Sequence, residues 1–90
     1  MNDSNDDLAE LLALTLTVDE FGSGTYRNSS GQLHRQHGPA VECADGYKEW
    51  YQNDQLHRTT GPAIEWADGD KESYLAGQQL TAAEFNERFK

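Results

Sequence analysis

Apolar and polar residues change rhythm along the chain, and each rhythm predicts an element. Leu8, Leu11 and Leu12 recur at i, i+3, i+4, the stripe of an amphipathic helix. Ser4 can cap that helix, and Asp6 and Asp7 suit its positive end. Leu12, Leu14, Leu16 and Val18 then alternate with Ala13, Thr15 and Thr17, which is strand period. The pattern predicts a helix over 5–12 and a strand over 13–19. Near the other end Thr81-Ala82-Ala83-Glu84 forms a capping box. Phe85 and Phe89 follow at i, i+4, so a short helix there should dock one aromatic edge on the rest of the fold.

Between these ends the chain repeats. Leu33-His34-Arg35 returns as Leu56-His57-Arg58, and Gly38-Pro39-Ala40-Val41-Glu42 as Gly61-Pro62-Ala63-Ile64-Glu65. Ala44-Asp45-Gly46, Lys48-Glu49 and Tyr51 return as Ala67-Asp68-Gly69, Lys71-Glu72 and Tyr74, every pair 23 residues apart. Partial units begin at Tyr26 and at Tyr74, and 14–26 reads as a degenerate half-unit with Gly22-Ser23-Gly24 as its turn. Asp-Gly between alternating runs is a hairpin signal. It predicts strands near 39–44 and 47–52, and again near 62–67 and 70–75. Proline without an N–H suits the first residue of a strand, which fits Pro39 and Pro62. The fold class expected is mainly β (α+β): an antiparallel meander of repeated hairpins with a short helix at each end. One domain is expected, with an acidic segment over 1–25, the repeats over 26–75 and a capping helix over 76–90.

Composition narrows the function. Ninety residues leave no room for a deep cofactor cleft, so no cofactor is expected. The formal net charge is −9, from 16 acids and 7 Lys plus Arg. That argues against direct nucleic-acid binding and against an anionic membrane, and leaves a basic protein surface as the natural partner. Residues 1–25 carry Asp3, Asp6, Asp7, Glu10, Asp19 and Glu20 and no Lys or Arg. The lone Cys43 allows no internal disulfide, in keeping with a reducing cytoplasm. The apolar stretch 8–18 is too short to span a membrane and follows acids where a signal peptide carries bases. A soluble cytoplasmic chain is expected, monomeric or weakly dimeric through an open sheet edge.

No nucleophile or acid–base constellation is visible, so an enzyme is not expected. His34, His37, Cys43 and His57 contain a His-x-x-His, but His34 and His57 recur with the repeat and read as turn or ladder hydrogen-bond partners rather than metal ligands. The carboxylates are more informative. With Asp45-Gly46 as a two-residue turn, Glu42 faces Glu49, and the second hairpin sets Glu65 against Glu72. Val41, Cys43, Trp50, Ile64, Trp66 and Leu75 then form a core face. Ala40, Ala63, Tyr47, Tyr51 and Tyr74 share the outer face with the four glutamates, and Asp45, Asp54, Asp68 and Asp70 add charge at the turns. Like charges opposed across a β-pair are unfavourable. Two readings of this face stand: a solvated surface kept for solubility, or an acidic surface for a basic groove. A three-residue turn would break the Glu–Glu facing.

The 23-residue unit, with its aromatic-x-Asn-x-x-Leu-His turn, Gly and Asp-Gly hairpin, resembles the MORN repeat, and more closely a variant in small phage and bacterial proteins. The resemblance covers about residues 26–85. Asp54 stands where glycine is expected, and the acidic amino-terminal segment has no counterpart in the repeat. The resemblance implies a generic binding scaffold. With the charge, it suggests a non-enzymatic phage-type inhibitor of a host defence system, similar to anti-CRISPR proteins. Such a chain would act as a DNA mimic in the basic DNA-binding groove of a CRISPR effector or another defence complex in the host cytoplasm. The contact residues would be Glu42, Glu49, Glu65 and Glu72, with Asp45, Asp68 and Asp70, and with Asp3, Asp6, Asp7 and Glu10 as a second patch. The alternative is an antitoxin or immunity-type MORN-like module, and a third reading is a structural protein of a phage.

Overall fold

The computed structural model describes residues 9, 10 and 12–89. Of the helix expected over 5–12 only residues 9, 10 and 12 are described, and their backbone is helical; the helix described from end to end is at the carboxy end, α1 (Ala82–Phe89). Its capping box forms as expected: Glu84 N–H donates to Thr81 Oγ1 at 3.1 Å and Thr81 N–H to Glu84 Oε1 at 2.9 Å. The Thr81 N–H, donated to the carboxylate, holds the Glu84 carboxyl below its ordinary range. Phe85 and Phe89 stack at 4.8 Å between ring centres.

The rest is antiparallel β. The strands are β1 (Thr15–Val18), β2 (Gly24–Arg27), β3 (Val41–Glu42), β4 (Lys48–Glu49), β5 (Tyr51–Gln52), β6 (Gln55–Leu56), β7 (Ile64–Glu65), β8 (Lys71–Leu75) and β9 (Gln78–Leu80). Seven of them form a sheet in the order β1-β2-β3-β4-β7-β8-β9, and β5 pairs with β6 apart from it. The expected continuous strand over 47–52 is therefore split at Trp50 between two sheets. The strand expected over 39–44 pairs only at 41–42. Ala40 N–H turns to the Glu49 carbonyl, opposite Val41, and Ala63 N–H to that of Glu72, opposite Ile64. Two residues opposing one is a bulge, which ends each short ladder where Gly-Pro enters.

The Asp-Gly turns are longer than expected, and this moves every side chain after them. Cys43 N–H bonds to the Tyr47 carbonyl at 2.8 Å and Gly46 N–H to the Cys43 carbonyl at 3.0 Å, leaving Ala44-Asp45-Gly46 as a three-residue turn. Gly46 (φ 103°) and Gly69 (φ 99°) supply the left-handed residue that closes such a turn. Asp19–Ser23 and Asn28–Gln32 close in the same way, so the amino-terminal turn is Glu20-Phe21-Gly22 and not Gly22-Ser23-Gly24. The two-residue turns lie at the opposite end. Asn53 (φ 50°) and Asp54 (φ 68°) form one, and Ala76 (φ 48°) and Gly77 (φ 84°) the other. Asp54 takes the left-handed position where glycine was expected, and its carboxylate accepts the Leu33 N–H at 2.6 Å.

Alanine at φ 48° carries a side chain in a conformation that costs it about 1–2 kcal/mol, part of which glycine gives back through its freer unfolded state. Ala76→Gly is expected to stabilise the fold by about 0.5–1 kcal/mol, read as a higher denaturant midpoint at unchanged m-value.

The core is thin: Ala40 and Ala63 are fully buried, with Trp50, Ile64 and Leu80 close behind. The two alanines had been expected on the outer face, and Trp66, expected in the core, is 45% exposed. Arginine replaces apolar bulk. Arg35 lies 4.2 Å over the Tyr26 ring and Arg58 3.9 Å over Trp50. A Cβ on Gly38 would stand 2.8 Å from Arg35 Cζ, and one on Gly61 3.0 Å from Arg58 Cζ. Each guanidinium is thus held between a glycine and an aromatic ring, which explains why Leu-His-Arg and Gly-Pro recur together. The histidines link units. His34 Nδ1 accepts the Asn53 N–H at 3.1 Å and His57 Nδ1 the Ala76 N–H at 2.9 Å. This is the structural role their recurrence suggested.

Candidate binding surface

The extra turn residue shifts β4 and β8 by one position against β3 and β7, which turns their side chains to the other face. Glu42 faces Lys48 and Val41 faces Glu49; Glu65 faces Lys71 and Ile64 faces Glu72. The expected Glu–Glu facing is therefore absent from both hairpins. Because Lys48 also faces Glu65, one row across the sheet reads Glu42, Lys48, Glu65, Lys71. Opposite charges alternate along it, the favourable arrangement for cross-strand neighbours. Glu42 is further paired to Arg35 at 3.4 Å and Glu65 to Arg58 at 3.1 Å. These two carboxylates belong to the framework of the repeat.

Glu49 and Glu72 lie on the opposite face among aromatics. Glu49 accepts from the Tyr47 hydroxyl and stands beside Tyr51. Glu72 accepts from Trp66 Nε1 at 3.1 Å, the Tyr74 hydroxyl at 3.3 Å and Gln79 Nε2 at 3.2 Å. Burial first, and then the adjacent carboxylates, push the Tyr47, Tyr51 and Tyr74 phenols above their ordinary value. The expected four-glutamate ladder is thus divided, with Glu42 and Glu65 neutralised on one face and Glu49 and Glu72 hydrogen-bonded on the other.

The second patch also changes. Asp3, Asp6 and Asp7 lie outside the described residues. Glu10 does not face outward: its carboxylate accepts the N–H groups of Gln36 and His37 and lies 3.3 Å from His37 Nδ1, with its side chain 10% exposed. It anchors the loop before Gly38.

Apart from Asp54 on the opposite turn and Glu84 and Glu87 on α1, what remains acidic and exposed lies at one end of the sheet, on the tips of three-residue turns. Asp45 and Asp68 stand at the middle of their turns, where each carboxylate accepts the N–H two residues on, at 3.0 Å. Asp70 follows at the exit of the second. The amino-terminal hairpin adds Asp19, Glu20 and the 74%-exposed Phe21. The three tips stand in a row. Ser23 Oγ accepts the Ala44 N–H at 3.2 Å, and a Cβ on Gly46 would lie 3.9 Å from that of Ala67. Within 19–23, 43–47 and 66–70 there are five acids and no Lys, Arg or His. Arg27, Arg35 and Arg58 lie toward the other end of the strands, where Arg27 Nη1 donates to the Gly31 carbonyl. The three tips thus carry acids alone, while the arginines lie at the other end together with Asp54.

Between two of the tips is a cleft of about 290 Å³, lined by Asp45, Tyr47, Trp66, Ala67 and Asp68. Tyr47 and Trp66 meet in it at 4.7 Å between ring centres. Two aromatic faces between two carboxylates fit a lysine or arginine side chain, through cation–π contact and a charged hydrogen bond. Asp19, Glu20 and Phe21 escaped sequence reasoning because Gly22 stands 24 residues before Gly46, one off the 23-residue period. The signal available was the Asp-Glu-Phe-Gly turn itself.

Among the described residues no group of three or more His, Cys, Asp or Glu side chains is placed to hold a metal ion, and no helix is long and apolar enough to cross a membrane. No family model, curated protein or solved structure matches this chain.

Proposed function

We propose that this protein is a non-enzymatic inhibitor that docks its row of acidic turn tips into a basic nucleic-acid-binding groove, in the manner of an anti-CRISPR DNA mimic. The observation that carries the reading is the cleft in which Asp45 and Asp68 flank the exposed Trp66 and its neighbour Tyr47. A face kept only for solubility needs no aromatic pair between its carboxylates, whereas tyrosine and tryptophan are the side chains that anchor interfaces. The geometry also supports presentation to a groove. The turns of successive hairpins are two strands apart, about 10 Å at the usual strand spacing, so carboxylates recur in a line along one edge. Steering by such a row speeds association and makes it sensitive to salt. The MORN-like character of the repeat is part of the same proposal, since a scaffold of stacked hairpins presents its turns in series.

The test is competition. A purified DNA-binding CRISPR effector is titrated with target duplex in the presence and absence of this protein. The proposal expects the two to exclude one another, with the apparent affinity of the protein falling steeply as salt rises. Simultaneous binding of protein and duplex would refute mimicry and favour the antitoxin-type module.

A further inference from the structure

We infer that β1 is a pairing edge for a second copy of this chain, joined antiparallel about a two-fold axis at Thr17. β1 is the outer strand of the seven-stranded sheet, and all four of its residues are exposed. Asp19 N–H bonds inward to Ser23, and bonding alternates along an antiparallel ladder, so the N–H and C=O groups of Leu16 and Val18 point away from the sheet. Tyr26, opposite Leu16, donates to Ala40 on its far side, as that alternation requires.

Edge strands of monomers are usually guarded by a lysine, a proline or a bulge. β1 carries none of these. Residues 11–18 contain no charge at all in a chain of net charge −9, and Leu12, Leu16, Val18 and Phe21 are 80%, 51%, 58% and 74% exposed. A basic partner finds nothing to recognise on this strand. A second copy does. With Thr17 on the axis, Leu16 meets the partner subunit's Val18 on one face, and both strands direct their free backbone groups into the new ladder. The same register sets Asp19 beside the partner subunit's Thr15, so the two acidic tips point to opposite ends of the joined sheet. Parallel pairing would bring those tips together. The far edge is a poorer match, since β9 offers Gln78, Gln79 and the buried Leu80. A closed two-fold dimer follows rather than a filament.

The experiment uses the full chain with Cys43→Ser. Residues facing across a non-hydrogen-bonded antiparallel pair have Cα atoms about 4.5 Å apart, within disulfide reach. Under mild oxidation Thr17→Cys is expected to give a covalent dimer, and Thr15→Cys, which faces the partner subunit's Asp19, is not. By sedimentation equilibrium the unsubstituted chain is expected to dimerise. Thr17→Lys, with two like charges on the axis of the interface, should weaken the dimer about tenfold or more, while Thr17→Val keeps it. Circular dichroism verifies that each variant is folded. A chain that stays monomeric to about 1 mM, or equal cross-linking through positions 15 and 17, would overturn the inference.

Discussion

Arg58→Ala is expected to destabilise the folded chain by about 3 kcal/mol, a large share of what a domain of this size holds. The guanidinium lies 3.9 Å over Trp50, and its Nη1 reaches the Pro62 carbonyl at 3.1 Å and Glu65 at 3.1 Å. Cation–π contact contributes about 0.5–2 kcal/mol and a hydrogen bond to a charged group about 1.5–3. With the side chain 24% exposed, the lower part of each range applies, and the gap left beside Trp50 adds to the loss. Arg58→Lys is expected to lose most of the same energy, because an ammonium cannot stack flat between the indole and Gly61. Gly61→Ala should cost less, about 1–2 kcal/mol, by displacing the guanidinium rather than deleting it. Urea denaturation measures all three. A loss below about 1 kcal/mol for Arg58→Ala would show that the stack does not hold the repeat together.

The second large effect is on binding. Reversing Asp45, Asp68 and Asp70 together to lysine is expected to weaken binding to the basic groove by 100-fold or more, since each reversal replaces an attraction with a repulsion worth about 1 kcal/mol. The fold should lose only about 1–3 kcal/mol, because the two turn hydrogen bonds that Asp45 and Asp68 accept are exposed and contribute about 0.5–1.5 kcal/mol each. Glu42→Lys with Glu65→Lys should do the opposite. It sets like charges against Lys48 and Lys71 and against Arg35 and Arg58, so it lowers stability first and touches binding only through unfolding. Competition titrations paired with thermal melts separate the two sets.

Much of the fold was legible in the chain. The 23-residue identities marked the hairpins, the Leu12–Val18 alternation marked β1, and Thr81 and Glu84 marked the start of α1. Turn length was not legible. Asp-Gly favours a two-residue turn, but that turn needs both residues left-handed, and here only Gly46 and Gly69 are, while Asp45 and Asp68 are not. The two-residue form went to Asn53-Asp54 and Ala76-Gly77, one of which contains no glycine. A single residue of register then exchanged the faces of Glu49 and Glu72 and set lysine against glutamate. The acids Asp45, Asp68 and Asp70 remain exposed at the turns because a turn remains a turn at either length. The arginine stacks were missed because Arg58, Gly61 and Trp50 meet only after the hairpins pack.

The register is therefore the point on which this account of the surface stands, and proton–proton contacts across the hairpins test it most directly. In the three-residue turn Glu42 and Lys48 form a non-hydrogen-bonded pair, as do Glu65 and Lys71, which brings their Hα atoms together. Strong Hα–Hα nuclear Overhauser effects between Glu42 and Lys48 and between Glu65 and Lys71 are expected. Strong effects between Cys43 and Lys48 and between Trp66 and Lys71 would mean a two-residue turn, with Glu42 facing Glu49, and would contradict it.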